Sequence, residues 1–284
     1  MANRAGFTLV ELLVALVLGG IITSVLFQLI AGQGRFVERQ SAREEVQQNT
    51  RASLDLIGSE LRTVPGGGGL VLATDNAITV RAVRVWGVVC DLPGGNAIDV
   101  AIPTVPGATY STNSGTGVVA NTGTAAAPDW TDEVAVTGIA AASGTCAGSP
   151  LAAGSERRSL SLESMPENSA GDPVTLGNTL YLYDEVTYQT GTSAGVDGLW
   201  IQRRIGSAPS QPMAGPIREE GGAGLRFEYF EAGSSSPMGT PISPADREDV
   251  TRISVLVEAV SRNQLGGSPE AKADTIVVSL RNRL

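Results

Sequence analysis

A single charged side chain interrupts a long apolar segment near the start of this 284-residue chain. The segment spans residues 7–31, and its only ionisable residue is Glu11. As a helix it would be about 37 Å long, which exceeds the roughly 30 Å hydrocarbon core of a bilayer. We therefore predict a membrane-spanning helix over these residues. A cleavable secretory signal fits less well, because its apolar core is shorter and ends at a small-residue cleavage site.

Glu11 requires a compensating partner in lipid. Burying a carboxylate at the bilayer centre costs about 2.5–3.5 kcal/mol on insertion scales, and a position near a helix N-terminus offsets part of that cost. If the chain were cut after Gly6, the new amine of Phe7 would lie one helical turn from Glu11. The amine and the carboxylate could then pair within one chain or between neighbouring chains.

These residues resemble the class III leader of type IV pilins and type II secretion pseudopilins. The matching features are a short leader with Arg4, Gly6 at the cut, Phe7 as the new N-terminus, and the following run Thr-Leu-Val-Glu-Leu-Leu. The resemblance covers residues 4–31. It implies that a prepilin peptidase cleaves after Gly6 and methylates Phe7, and that Glu11 pairs with the amino terminus of an adjacent subunit. The alternative is a plain membrane anchor with a chance glutamate.

The orientation of the anchor does not follow from its flanking charges. Arg4 precedes the apolar segment, whereas Arg35, Arg39 and Arg43 follow it. The positive-inside rule would therefore place the wrong end in the cytoplasm. The expectation that the chain spans the inner membrane once, with its large domain outside the cytoplasm, rests on the resemblance and on the two cysteines.

Cys90 and Cys146 make an even cysteine count, which in an exported domain suggests a disulfide. Closing a loop of about 56 residues would contribute roughly 4 kcal/mol of stability in the chain-entropy model. Two free buried thiols are the alternative. The spacing matches no zinc motif, and the sequence contains no histidine to complete one.

The helical pattern continues past the apolar segment into residues 32–64. Six positions form a stripe that we expect to pack on a sheet, and Pro65 with the four following glycines ends the helix near Thr63. The stripe consists of Val46, Thr50, Leu54, Ile57, Leu61 and Val64. Glycines at 19, 20, 32 and 34 weaken the helix. They indicate either a stretch that unwinds on assembly or close helix–helix contact, and the sequence leaves both open.

Residues 70–284 read as a β-rich globular domain. A strand is predicted over residues 77–89, which are rich in β-branched residues. Alternating apolar and polar residues predict further strands over residues 180–189, 199–205, 225–230, 250–260 and 275–280. Residues 103–155 are rich in Gly, Ala, Ser, Thr and Pro, so we expect an insertion of surface loops with one or two short strands, such as residues 133–137. The predicted fold class is α+β: a long N-terminal helix, anchor plus amphipathic half, packed on an antiparallel sheet.

Two motifs suggest chemistry that the rest of the sequence does not support. Residues 191–195 fit the G-x-S-x-G nucleophile elbow, but the chain has no histidine base, so we expect a hairpin turn. Residues 115–120 fit G-x-G-x-x-A without a following helix, so we expect a loop. Acidic groups at 184–185, 219–220 and 246–249 lack the ordered spacing of a calcium loop. No catalytic residue, cofactor or metal is expected.

Aromatic residues are frequent in the predicted strands of the C-terminal part. At strand spacing they favour core and cross-strand packing over a ligand surface. They are Tyr181, Tyr183, Tyr188, Trp200, Phe227, Tyr229 and Phe230.

Residues 180–284 also resemble minor pilins of the PilW kind and, more loosely, the J-type pseudopilin. Together the resemblances imply a minor pilin that joins a type IV pilus and aids its initiation or tip. The implied partners are a prepilin peptidase, other pilin subunits and the inner-membrane assembly platform. A type II secretion pseudopilin is the alternative within the family. An adhesive or DNA-capturing module is the alternative outside it, although the net charge of −9 argues against nucleic acid.

Overall fold

The computed structural model of the chain describes residues 9–65, 68–105, 110–124, 129–142, 144, 146, 154–219, 224–265 and 268–280. A 53-residue helix, α1 (Leu9–Leu61), precedes a large antiparallel sheet, so the predicted combination of long helix and antiparallel sheet is present. The strands are β1 (Leu70–Ala73), β2 (Ala77–Gly94), β3 (Ala97–Pro103), β4 (Thr116–Asn121), β5 (Val134–Ala141), β6 (Ser155–Leu162), β7 (Thr179–Ser193), β8 (Val196–Ile205), β9 (Gln211–Ile217), β10 (Leu225–Glu231), β11 (Val250–Leu265) and β12 (Ser268–Ser279).

One part of the sheet carries the helix. The second half of α1 packs mainly on β11, β12 and β9, and the core beneath it continues to β1, β2, β7, β8 and β10. Among its largest fully buried side chains are Ile57 of the helix and Tyr188, Phe227 and Tyr229 of the strands. The six predicted stripe positions of the helix are all buried, which confirms the face predicted from their spacing.

The other part of the sheet closes on itself. Antiparallel pairing runs from β2 through β3, β6, β5, β4 and β7, and β7 pairs back to β2, which makes a ring of six strands. A second apolar core fills this small barrel, with Ile98, Val118 and Leu160 at its centre. Because each of these six strands pairs with at least two others, none of them is a free edge strand of the sheet.

β2 and β7 run through both parts and join them. A bulge in β2 between Val83 and Val85 shifts the register against β7. The extra residue places Ala82 and Val85 on the same face of β2, although they are three positions apart. Ala82 contributes to the helix-side core and Val85 to the barrel core. At the junction on β7 lies Asp184, whose carboxylate accepts hydrogen bonds from Thr116 (2.9 Å) and Asn113 (3.1 Å).

The interpretation of residues 103–155 as an insertion outside the core is wrong, because β4 and β5 both contribute to the barrel core. The short strand expected at residues 133–137 is present as the first part of β5. β4 lies between β5 and β7 in the barrel, and Val118 and Ala120 are fully buried. The loop expected at residues 115–120 is likewise strand from residue 116. The composition misled because small residues suit a tightly curved barrel wall as well as a loop. At Gly117 a Cβ would overlap the hydroxyl of Tyr183, so a larger residue would force the tyrosine to move.

The six predicted strands correspond to β2, β7, β8, β10, β11 and β12, although β12 begins seven residues earlier than predicted. Four further strands outside the supposed insertion were not predicted: β1, β3, β6 and β9. β6 carries Arg157 and Arg158, and β9 carries two prolines. Charged residues and prolines both weaken the sequence pattern that predicts a strand. The G-x-S-x-G segment forms the hairpin turn between β7 and β8, as expected.

Cys90 and Cys146 form a disulfide, with their Cα atoms 4.8 Å apart. The alternative of two free thiols is therefore excluded. Beside it, Arg157 of β6 bridges Asp99 and Asp91, and its hydrogen bond to Asp99 raises the pKa of the guanidinium. The disulfide ties the end of β2 to the segment between β5 and β6, so it fastens the barrel rather than the helix-packed part.

Candidate functional site

The first half of α1 stands clear of the rest of the chain. Every residue from 9 to 41 is exposed, including large apolar side chains such as Leu9, Leu16, Ile22 and Phe27. Monomeric soluble proteins seldom expose apolar patches larger than about 300–600 Å². This surface therefore needs a lipid or protein environment, and among the described residues α1 is the helix whose length and apolar composition suit a membrane crossing.

The second half of the same helix is fastened to the sheet. Asn49 donates a hydrogen bond to the carbonyl of Gly215 at 3.0 Å, and the hydroxyl of Thr50 donates one to the carbonyl of Lys272 in β12 at 3.4 Å. Gly58 brings the helix close to β12, because a Cβ there would lie 3.0 Å from the side chain of Ile276. These contacts fix both the height and the rotation of the helix on the sheet.

Glu60 anchors the end of the docked half. Its carboxylate accepts a hydrogen bond from the hydroxyl of Tyr188 at 2.5 Å and from the guanidinium of Arg203 at 2.7 Å. Burial, reinforced by the charge of Glu60, raises the pKa of Tyr188. Burial lowers the pKa of Arg203, but the hydrogen bond and charge of Glu60 outweigh it, so the net direction is upward. Both partners therefore keep the protonation states that hold Glu60.

Glu11, the predicted assembly residue, lies near the start of the described part of α1. It is exposed along with its apolar neighbours. Gly6 and Phe7, the predicted cleavage and methylation positions, lie outside the described residues. The structure therefore places Glu11 in the exposed first half of α1. At a rise of 1.5 Å per residue, it lies about 70 Å along the helix axis from Glu60.

The four weakening glycines lie within continuous helix. A Cβ at Gly19, Gly20, Gly32 or Gly34 would meet nothing within 4 Å. Contacts inside this chain therefore do not require glycine at these positions. The two explanations left open by the sequence, local unwinding and close packing against other helices, both concern the chain in its assembly.

A family model described as the prokaryotic N-terminal methylation motif matches residues 1–27. This motif is the class III prepilin leader of type IV pilin-like proteins. The chain carries that leader. The match covers the leader and most of the exposed apolar helix, and it supports a protein of the pilin or pseudopilin type. Comparison of the whole chain with curated proteins and with solved structures finds no match.

The leader implies processing by a prepilin peptidase and assembly with other pilin subunits. It also suggests a structural subunit rather than an enzyme. The acidic groups considered for calcium do not gather: within the described part of the chain no three His, Cys, Asp or Glu side chains are placed to hold a metal ion. Asp184, one of them, instead holds the junction between the two cores. Glu220 lies outside the described residues.

Sequence reasoning missed the residues that fasten the helix. Glu60 lies beside the predicted apolar stripe, but its partners Tyr188 and Arg203 follow 128 and 143 residues later. No local spacing indicates such a pairing. Of the seven aromatic residues singled out, Tyr188, Phe227 and Tyr229 are fully buried, in line with the core packing expected.

Proposed function

We propose that this chain is a minor pilin that enters a type IV pilus through α1 and aids initiation of the filament or forms part of its tip. The observation that carries the proposal is the exposed apolar part of α1, residues 9–31, most of which lies within the region that the family model matches. This part occupies the membrane before assembly and a bundle of equivalent helices afterwards. Its apolar surface stays out of water in both states, so the transfer costs little.

In this proposal the prepilin peptidase cuts after Gly6 and methylates Phe7. The new amine of a neighbouring subunit then pairs with Glu11, whose carboxylate is poorly accommodated by lipid alone. Glu11 thereby sets the register of each subunit against the next. The chain crosses the inner membrane once, and its β domain lies outside the cytoplasm, where the disulfide between Cys90 and Cys146 is stable.

The first test is mass spectrometry of the mature protein from cells. The expected N-terminus is an N-methylated Phe7. A chain with Met1 retained would overturn the proposal, as would cleavage at a site inside the helix.

The second test uses Glu11→Ala with Glu38→Ala as its matched control, since both carboxylates are exposed in the first half of α1. We expect both variants to be inserted and processed. We expect Glu11→Ala to enter sheared filaments at least about tenfold less than the native chain, consistent with loss of a buried ion pair, whereas Glu38→Ala enters normally. Equal incorporation of the two variants would remove the assembly role of Glu11.

A type II secretion pseudopilin has the same leader and anchor, so it remains the alternative within the family. Deletion of the gene separates the two. Loss of surface filaments supports the minor pilin, and loss of exported proteins from the medium with filaments intact supports the pseudopilin. Neighbouring genes for pilus retraction would also support the minor pilin, and neighbouring genes for a secretin would also support the pseudopilin.

A further inference from the structure

The outer face of the sheet carries a groove that plays no part in either core. It lies over β2, β4 and β7 near the end of α1, and it has a volume of about 620 Å³. Ligand clefts in proteins typically measure about 300–1,000 Å³. Val83, Val119, Tyr181 and Tyr183 form its floor.

One wall of the groove is a well-anchored loop that presents Trp130. Trp130 forms an antiparallel bridge to Asn121, and the backbone amide of Thr131 bonds to the carbonyl of Ala120 at 2.9 Å. The ring of Trp130 lies 5.4 Å from that of Tyr181 and is tilted by 45°. The two rings therefore form a fixed aromatic corner, which loses little freedom when a ligand binds.

The rim of the groove is acidic. Among the described residues that line it, Asp129, Asp132, Glu133 and Glu248 carry carboxylates and Arg81 carries a positive charge. Arg81 is paired with Glu133 and lies 5.7 Å from the ring centre of Tyr183. Burial raises the pKa of the Tyr183 hydroxyl to about 12, so that group stays neutral. The lining thus has an excess of negative charge over an electron-rich aromatic floor.

This combination suits a cation with an apolar stem. A guanidinium or ammonium group gains from aromatic faces, roughly 0.5–2 kcal/mol depending on desolvation, and from nearby carboxylates. The methylene stem of arginine or lysine would cover the valines of the floor. One such side chain would fill only part of the volume, so the neighbouring residues of its own chain have room in the groove as well.

We propose that this groove binds an arginine or lysine side chain presented by an exposed segment of a partner protein. The same chemistry disfavours acidic partners and nucleic acid, because their charges repel those of the rim. The proposal does not depend on whether the chain acts in a pilus or in a secretion system.

The test uses the full chain in detergent with Trp86→Phe and Trp200→Phe, which leaves Trp130 as the one tryptophan, since the sequence has three. Its fluorescence is followed while the capped peptide Gly-Ala-Arg-Ala-Gly is added. The matched probe replaces arginine by citrulline, which has nearly the same shape without the charge. We expect a saturable change with the arginine peptide and at least about tenfold weaker binding of the citrulline peptide. Binding of the arginine peptide should also weaken as salt rises.

Substitutions in the groove test whether the arginine peptide binds there. Tyr181→Ala should abolish it and Tyr181→Phe should keep it, because the aromatic face is needed and the hydroxyl is not. Asp132→Asn combined with Glu248→Gln should weaken binding about tenfold, whereas Asp197→Asn, an exposed carboxylate outside the groove lining, should leave it unchanged. If Tyr181→Ala fails to fold, the charge variants decide. No saturable change, equal binding of the two peptides, or equal loss with Asp197→Asn would overturn the proposal.

Discussion

The two halves of α1 differ in almost every respect except that they form one continuous helix. Residues 9–41 are all exposed, while eight of residues 42–61 are buried against the sheet. Residues 9–31 of the first half carry large apolar side chains on all sides, whereas the second half has a single apolar stripe flanked by charges. A helix that is apolar all round needs an apolar environment, whereas a one-sided helix needs one partner surface. The first half of α1 is thus available for assembly with other subunits, and the second half contributes to the folding of the β domain.

The largest expected effect comes from truncating one isoleucine in each half. Ile57 is 0% exposed and Ile22 is 59% exposed. Ile57→Ala should lower the free energy of unfolding of the β domain by about 2–5 kcal/mol, because it leaves a cavity between helix and sheet. Ile22→Ala should change it by less than about 0.5 kcal/mol. Chemical denaturation of the full chain in detergent, followed by tryptophan fluorescence, measures both. Similar losses for the two variants would contradict the division of roles.

A smaller effect is expected from the carboxylates of the docked half. Glu60→Ala should cost about 1–3 kcal/mol, because it leaves the hydroxyl of Tyr188 and the guanidinium of Arg203 without their partner. Glu45→Ala is the control, since its contact with Arg262 is 3.5 Å long and largely exposed. Such surface pairs contribute about 0–1 kcal/mol. The same denaturation experiment compares them, and an equal cost would mean that Glu60 does not fasten the helix.

The smallest effect is a dependence on alkaline pH. A free tyrosine has a pKa of 10.0, and the pKa of Tyr188 is raised above that value in the folded chain. Its contribution is therefore fully present below pH 10 and is lost as pH rises above 10, because the unfolded chain releases the proton first. Linkage gives a slope of up to about 1.4 kcal/mol per pH unit for one such group. Stability measured from pH 9 to 11 should fall less steeply in Tyr188→Phe than in the native chain. Identical slopes would mean that Tyr188 does not contribute to the loss of stability at alkaline pH.

Local patterns predicted a large part of the molecule. The apolar segment, the buried stripe of α1 and five strands could be read from spacing alone, because helices and half-buried strands repeat their apolar residues with fixed periods. Pairing between distant strands has no such local signal. The pairing of β2 with β7 that closes the ring includes a bulge between Val83 and Val85, and β4 was predicted as a loop because its residues are small. The groove depends on the same pairing, since Val83, Val119 and Tyr181 come from three strands.

The sequence by itself determined that this chain has a leader, a membrane-length helix and a carboxylate near its start, because these are consecutive residues whose chemistry does not depend on distant neighbours. Only the tertiary structure decided which strands cover the apolar stripe of α1 and where along the helix that cover begins. The stripe lies mainly against β9, β11 and β12, which follow more than 100 residues later, whereas residues 9–41 are exposed. A surface is buried only where other residues pack against it. In this chain those residues are distant in sequence, so a short stretch of sequence does not identify them.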